Sequence, residues 1–177
     1  GIGYGKSITD VVEGKYMDFP ISLFDYSYEI KIGDNSQTIK FTIFKLQFET
    51  KMPDILLKSR ECNESIFEKG AKNNFSKLEL EGDFNKYFIL YVPRGYETEA
   101  LQIFTPDIMG ELIDRGKSYS LEIFNDNIFI CSNKVVRTKK DLYALYDFAQ
   151  YFIKKLGPVL SRMKLGLESM EQYSNKN

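Results

Sequence analysis

Pro20 opens the clearest alternating strand of the chain. Phe24, Tyr26, Tyr28, Ile30 and Ile32 fall in one phase, and Asp25, Ser27, Glu29 and Lys31 in the other. Successive side chains of an extended strand point to opposite faces, so this stretch reads as a strand with one apolar face. A turn cluster follows at Gly33–Ser36, and strand character resumes in TIKFTIFKLQFET, giving a long twisted hairpin. In that second strand the apolar phase switches, from Ile39, Phe41 and Ile43 to Phe44, Leu46 and Phe48. Either a bulge near Phe44 or burial of both faces accounts for the switch. A hairpin of this length commits the chain to a sheet, and its 14 Phe and 12 Tyr suit strands.

The remaining elements are read around that hairpin. Residues 8–17 form a first strand containing Gly14, and Ile55–Lys58 a short strand after Pro53. The polar stretch Ser59–Ser76, interrupted by Gly70, reads as a loop. Lys86–Val92 is almost wholly apolar and fits a central strand covered on both sides. Thr105-Pro106-Asp107 supplies an N-cap, a proline at the first helical position and an acid in the first turn. Ile108, Met109, Leu112 and Ile113 make that helix's buried stripe, and Gly116 ends it. Tyr119–Phe124 and Ile128–Cys131 flank a tight turn. Thr138 and Asp141 then cap a long helix whose apolar side carries Leu142, Leu145, Ala149, Phe152 and Leu156. Gly157-Pro158 is predicted to stop or kink it. The order gives a single α+β domain over 1–177, a mainly antiparallel sheet of about eight strands with two or three helices packed on one side. Residues 158–177 form an amphipathic helical tail.

Composition removes several kinds of chemistry. The chain of 177 residues carries a formal charge of −1, so no global field draws it to nucleic acid. It has no histidine, the commonest general acid/base and metal ligand. Its two cysteines are too few for a disulfide scaffold or a zinc site. Cys131 sits in an apolar strand and reads as an inert thiol, while Cys62 lies in a polar loop. Reduced cysteines favour the cytoplasm. No apolar run is long enough to span a bilayer. The opening GIGYGKS lacks an initiator methionine, as expected of a processed or truncated piece of a longer protein.

Catalytic constellations are sparse. GIGYGKS lacks the first glycine and the leading strand of a phosphate-binding loop. Glu79, Glu81 and Asp83 stand at spacing two and could converge on a hard cation, but Gly82 interrupts the row. Ser7 with Lys6 and Ser161 with Lys164 are the available Ser–Lys pairs, neither on a nucleophile turn. Every carboxylate has an ordinary surface setting in the pattern. No cofactor and no metal are expected.

Three stretches together carry a family resemblance: Glu81–Asp114, the Phe24-Asp25-Tyr26-Ser27-Tyr28 strand with its hairpin, and Tyr119–Cys131 with the closing helix. The chain resembles an uncharacterised bacterial domain family of unknown function. There a glycine-rich strand leads to a Phe-Asp-Tyr-x-Tyr strand, a Leu-Pro pair (here Met52-Pro53), an acidic Phe-Asn strand (here Asp83-Phe84-Asn85) and a proline-initiated helix. The chain departs from it at Met17-Asp18-Phe19-Pro20, where relatives show a Gly-Arg-like turn. The resemblance implies the soluble part of membrane-anchored proteins, held at the cell membrane by segments outside this chain. It brings no activity or catalytic residue.

Charge is unevenly spread. Glu97–Asp126 holds seven acids against Arg115 and Lys117, a net −5, and Lys134–Lys164 eight bases against Asp141 and Asp147, a net +6. The bases flank a striped helix, so Lys154, Lys155, Arg162, Met163, Lys164 and Leu167 are the candidate surface for a protein partner or an anionic membrane. Packing of that stripe on the chain's own sheet is the alternative. The expected function is a non-catalytic interaction domain, not an enzyme. The alternatives are a small enzyme with a carboxylate/Lys pocket and an apolar-ligand carrier.

Overall fold

The computed structural model describes residues 4–49, 52–62, 65–66 and 74–174, with the side chains of the last helix described through Met163. Its elements, in chain order, are β1 (Tyr4–Tyr16), β2 (Phe19–Ile32), β3 (Asn35–Gln47), β4 (Ile55–Ser59), β5 (Phe75–Leu78), α1 (Phe84–Tyr87), β6 (Phe88–Pro93), α2 (Glu97–Ile103), α3 (Pro106–Arg115), β7 (Tyr119–Phe124), β8 (Asn127–Ser132) and α4 (Lys139–Ser174). The fold is α+β. Eight strands make one sheet in the order β1-β2-β3-β8-β7-β4-β6-β5, with antiparallel pairing between every pair of neighbours.

The β2–β3 hairpin pairs from Ile21↔Leu46 to Ile32↔Asn35 with no slip in register. The phase switch in β3 therefore comes from burial on both faces, since Phe41, Thr42, Ile43 and Phe44 are all enclosed. Bulges occur instead in β1, between Tyr4 and Ser7 and between Thr9 and Val12. At the second of these Asp10 takes a left-handed backbone, φ 55°.

The two faces of the sheet bury different residues. Phe44, Leu46, Leu57, Leu121, Ile123 and Ile130 join the large core beneath the helices, where Phe148, Phe152, Leu156 and Leu160 of α4 pack. Leu23 and Ile21 of β2 face this side. The alternate residues Phe24, Tyr26 and Tyr28 pack on the other face in a separate cluster with Phe41, Ile43 and Cys131. The most regular aromatic row thus lies away from the helices, and the row read as polar faces them.

Local signals explain most boundaries. The Thr105 hydroxyl accepts from the Ile108 amide at 3.5 Å and starts α3 behind Pro106. Gly116 ends α3 with φ −99°, so close approach dictates glycine there: a Cβ would lie 2.9 Å from the Leu112 carbonyl oxygen and 3.0 Å from the Phe148 ring. The helix α4 runs through Gly157-Pro158, with Val159 and Leu160 buried in the large core beyond it. No helix among the described residues is long and apolar enough to cross a membrane.

Candidate functional site

Between β8 and α4 the chain crosses the helix-covered face of β2 and β3, pinned there by backbone and side-chain bonds. The Thr42 amide donates to the Ser132 hydroxyl and to the Lys134 carbonyl, both at 3.3 Å. The Val136 amide donates to Thr42 Oγ1 at 2.8 Å, and that hydroxyl donates its own proton to Asp25 Oδ1 at 2.6 Å. Thr42 faces Asp25 directly across the β2–β3 ladder. The next residue in the crossing, Arg137, donates from Nη2 to Asp25 Oδ2 at 2.6 Å. Lys40 Nζ stands 3.7 Å from the same oxygen. Thr138 then caps α4, its hydroxyl accepting from the Asp141 amide at 3.1 Å.

The electrostatics of this cluster are lopsided. Asp25 is 2% exposed, while Arg137 is 57% exposed. Burial alone would push the Asp25 carboxyl up. The hydrogen bonds from Thr42 and Arg137, with the positive charges of Arg137 and Lys40, outweigh burial and hold it below its ordinary value. Asp25 is therefore an anion with both oxygens engaged. Its effect is to fix the guanidinium of Arg137 at the wall of a cleft. Arg137 also reaches Asp10 across the cleft, Nη2 to Oδ2 at 3.6 Å. Both contacts use one nitrogen, and the rest of the planar fork has no protein partner among the described residues.

This cleft measures about 230 Å³ and is lined by Asp10, Leu23, Asp25, Thr42, Arg137 and Leu142, among others. It adjoins a second hollow of about 340 Å³ through the shared residues Leu23 and Leu142. The second hollow runs between β1–β2 and the start of α4, over Val12, Gly14, Ile21 and Phe44 and under Tyr143 and Tyr146. Its lining is almost entirely apolar. The absent side chain of Gly14 leaves its floor open, since a Cβ there would meet only Ile21, at 3.8 Å. Val12 and Tyr143 remain 63% and 62% exposed. Together the two hollows make one groove with a charged end and an apolar end.

No protein-family model matches the chain, and no curated protein or solved structure matches it either. The family resemblance seen in the sequence thus assigns no residue of the groove, which is read from its own geometry.

Three sequence expectations are corrected here. Not every carboxylate has a surface setting: Asp25 and Glu122 are both buried, and the Ile66 amide donates to Glu122 Oε1 at 2.9 Å. The expectation that the chain is not an enzyme falls with the first of these. A buried carboxylate locked to a hydroxyl and two bases at the wall of a cleft stands against a non-catalytic reading, because such clusters are concentrated at functional sites. Cys62, expected in a polar loop, is fully buried, its Sγ 3.5 Å from the Cys131 carbonyl.

Other candidates are dispersed. Glu79 pairs with Lys77 at 3.4 Å and Asp83 with Lys86 at 2.7 Å, and no three metal-ligating groups gather among the described residues. Ser7 shares a hydrogen bond with Ser27, and Ser161 donates to the Gly157 carbonyl. Of the proposed partner surface, Lys154 and Arg162 are exposed, Lys155 is half-buried, and Met163 packs against the large core. The side chains of Lys164 and Leu167 lie outside the described residues.

The sequence carried a signal for Asp25 that its alternation obscured. Its own phase reads Ile21, Leu23, Asp25, Ser27, Glu29, so Asp25 is the first charge after two apolar residues. A charge at that border is where the covered part of a face ends.

Proposed function

We propose that this chain binds a small molecule in the groove between the β1–β2 hairpin and the start of α4. The observation that carries the reading is the pairing of a sealed carboxylate with an exposed arginine at one end of an apolar channel. Building that pair has a cost, because Asp25 gives up its hydration and must be compensated by three neighbours. A surface arginine needs no such support. Exposed Val12, Leu142 and Tyr143 beside the hollow add apolar area that a ligand would cover. The apolar hollow, about 340 Å³, is of the size of small-ligand pockets, which start at roughly 300 Å³.

The same cluster favours a second reading, in which the bound molecule is also turned over there. The carboxylate, hydroxyl and guanidinium would then hold a polar group of the substrate at the charged end.

An anionic fluorescent probe such as anilinonaphthalene sulfonate tests the binding reading. Wild-type protein is expected to take up one equivalent saturably. Leu142→Glu, which puts a charge where the two hollows meet, and Gly14→Val, which fills the floor, are expected to abolish uptake while leaving circular dichroism unchanged. Equal uptake by both variants would refute the groove as the site. Incubation of cell extract metabolites with the protein, read by mass spectrometry, distinguishes turnover from simple retention.

A further inference from the structure

We propose that the ligand is an aliphatic carboxylate, and that Asp10 stands where its head group would bind. The inference rests on the groove reading above and adds the chemical class of the occupant. Four observations lead to it.

First, the charged end is cationic on balance: Arg137, Lys40 and Lys139 stand there against Asp25 and Asp10. Asp25 is already spent on Thr42, Arg137 and Lys40, so the available recognition group is the open edge of the guanidinium. A planar guanidinium fork matches a carboxylate in two parallel hydrogen bonds.

Second, a carboxylate of the chain itself already sits there. Asp10 is 66% exposed and stands 3.6 Å from Arg137, too far for a good hydrogen bond, and its other polar contact is the Thr9 hydroxyl at 3.4 Å. An exposed ion pair of that kind is weak and is readily displaced. Third, Asp10 is brought to the cleft by an irregular backbone. The β1 bulge between Thr9 and Val12 and the left-handed φ of 55° turn it out of the regular ladder. Aspartate tolerates that conformation better than most residues.

Fourth, the groove beyond Leu23 and Leu142 accepts a chain and offers little for a polar body. Val12, Ile21, Phe44, Leu145 and Tyr146 line it together with Glu13 and Ser22, and the surface they expose to it is almost entirely apolar. A compact dianion or a sugar phosphate would leave this apolar end empty, whereas an alkyl tail covers it.

The test uses decanoate, decanol and acetate against the whole chain, by calorimetry and by amide chemical shifts of Leu142 and Tyr146. Decanoate is expected to bind at least about tenfold more tightly than decanol, the margin of one charge-assisted hydrogen-bond pair. Acetate is expected to bind weakest. Asp10→Asn, an exposed change that spares the fold, is expected to tighten decanoate roughly two- to fivefold, because the competing ion pair is gone. Arg137→Gln is expected to bring decanoate down to the level of decanol. Equal affinity for decanoate and decanol would overturn the carboxylate assignment while leaving the groove in place. Unchanged or weaker decanoate binding in Asp10→Asn would overturn the role of Asp10. If neither decanoate nor decanol moves the Leu142 and Tyr146 amides, the groove reading itself fails. Decyl phosphate serves as the competing head group, and a preference for it over decanoate would also overturn the assignment.

Discussion

Asp25 and Arg137 differ so much in exposure that their removal is expected to have unequal effects. Losing one partner of a fully buried ion pair costs about 3–5 kcal/mol, because the other is stranded without water. In Arg137→Gln the stranded group is Asp25, 2% exposed, with Lys40 still 3.7 Å away and Thr42 still donating at 2.6 Å. That residual compensation lowers the expected loss to about 2–3 kcal/mol. In Asp25→Asn the stranded group is a guanidinium already 57% exposed, which water solvates. The carboxamide oxygen still accepts from Thr42, so the expected loss is about 1 kcal/mol. Once Asp25 is neutral, adding Arg137→Gln removes only an exposed pair with Asp10 and is expected to cost less than about 1 kcal/mol.

Urea unfolding of the four proteins at neutral pH closes the cycle, with an expected coupling of about 2 kcal/mol. Additive losses would refute the claim that Asp25 is the sealed member. Acid adds an independent check. The carboxyl of Asp25 is depressed in the fold, so its contribution is full above the unfolded value of about 4 and is lost as pH falls through the folded value. Arg137→Gln removes one of the groups that depress it and leaves Thr42 and Lys40 against burial, so the depression is smaller. The variant is therefore expected to lose less stability than wild type between neutral and acidic solution.

Two further outcomes concern the frame that holds the groove. Gly116→Ala places a methyl 2.9 Å from the Leu112 carbonyl and 3.0 Å from Phe148, and is expected to destabilise by about 1–3 kcal/mol in thermal unfolding. A neutral effect would mean that α3 and α4 can shift apart. Truncation after Gly157 removes the buried Val159 and Leu160, and is expected to cost about 3–6 kcal/mol at about 1.5–3 for each side chain. An unchanged melting temperature would show that this part of α4 contributes nothing to the core.

What the sequence revealed was what local rules govern. Alternation and turn residues delivered β2, β3, β7 and β8, and the Thr-Pro-Asp signal delivered α3, because each is decided within a few residues. No periodicity in the sequence marks the turn α1, and its residues Lys86 and Tyr87 read as the start of the strand over Lys86–Val92. The turn is held by Asn85, which accepts from the Leu80 amide at 3.1 Å and donates to the Leu80 carbonyl at 2.5 Å. The helix α4 passes Gly157-Pro158 because Leu156, Val159 and Leu160 are all buried, and tertiary packing overrides propensity. Which face of β2 the helices cover was not legible, for an apolar row marks burial without naming the layer that supplies it. The pair Asp25–Arg137 spans 112 residues, and no spacing rule reaches that far.

The groove follows from a mismatch within the sheet. The strands β1, β2 and β3 have 13, 14 and 13 residues, whereas β4 to β8 have between four and six. Short strands are covered by α2, α3 and the middle of α4, which pack on one another there. The first turns of α4 reach over the long hairpin at Leu142, Leu145 and Tyr146. A surface left open by geometry alone would be expected to turn polar, as single exposed strand faces do. Here it stays apolar at Val12, Ile21 and Leu23, and it ends in a charge cluster whose carboxylate is sealed. The edge strand β1 supports the same conclusion. A bulge protects an exposed edge from pairing with another chain wherever its side chain points. This one also carries Asp10 to within 3.6 Å of Arg137, a placement that edge protection does not require and that fits the proposal of a guanidinium kept for a carboxylate.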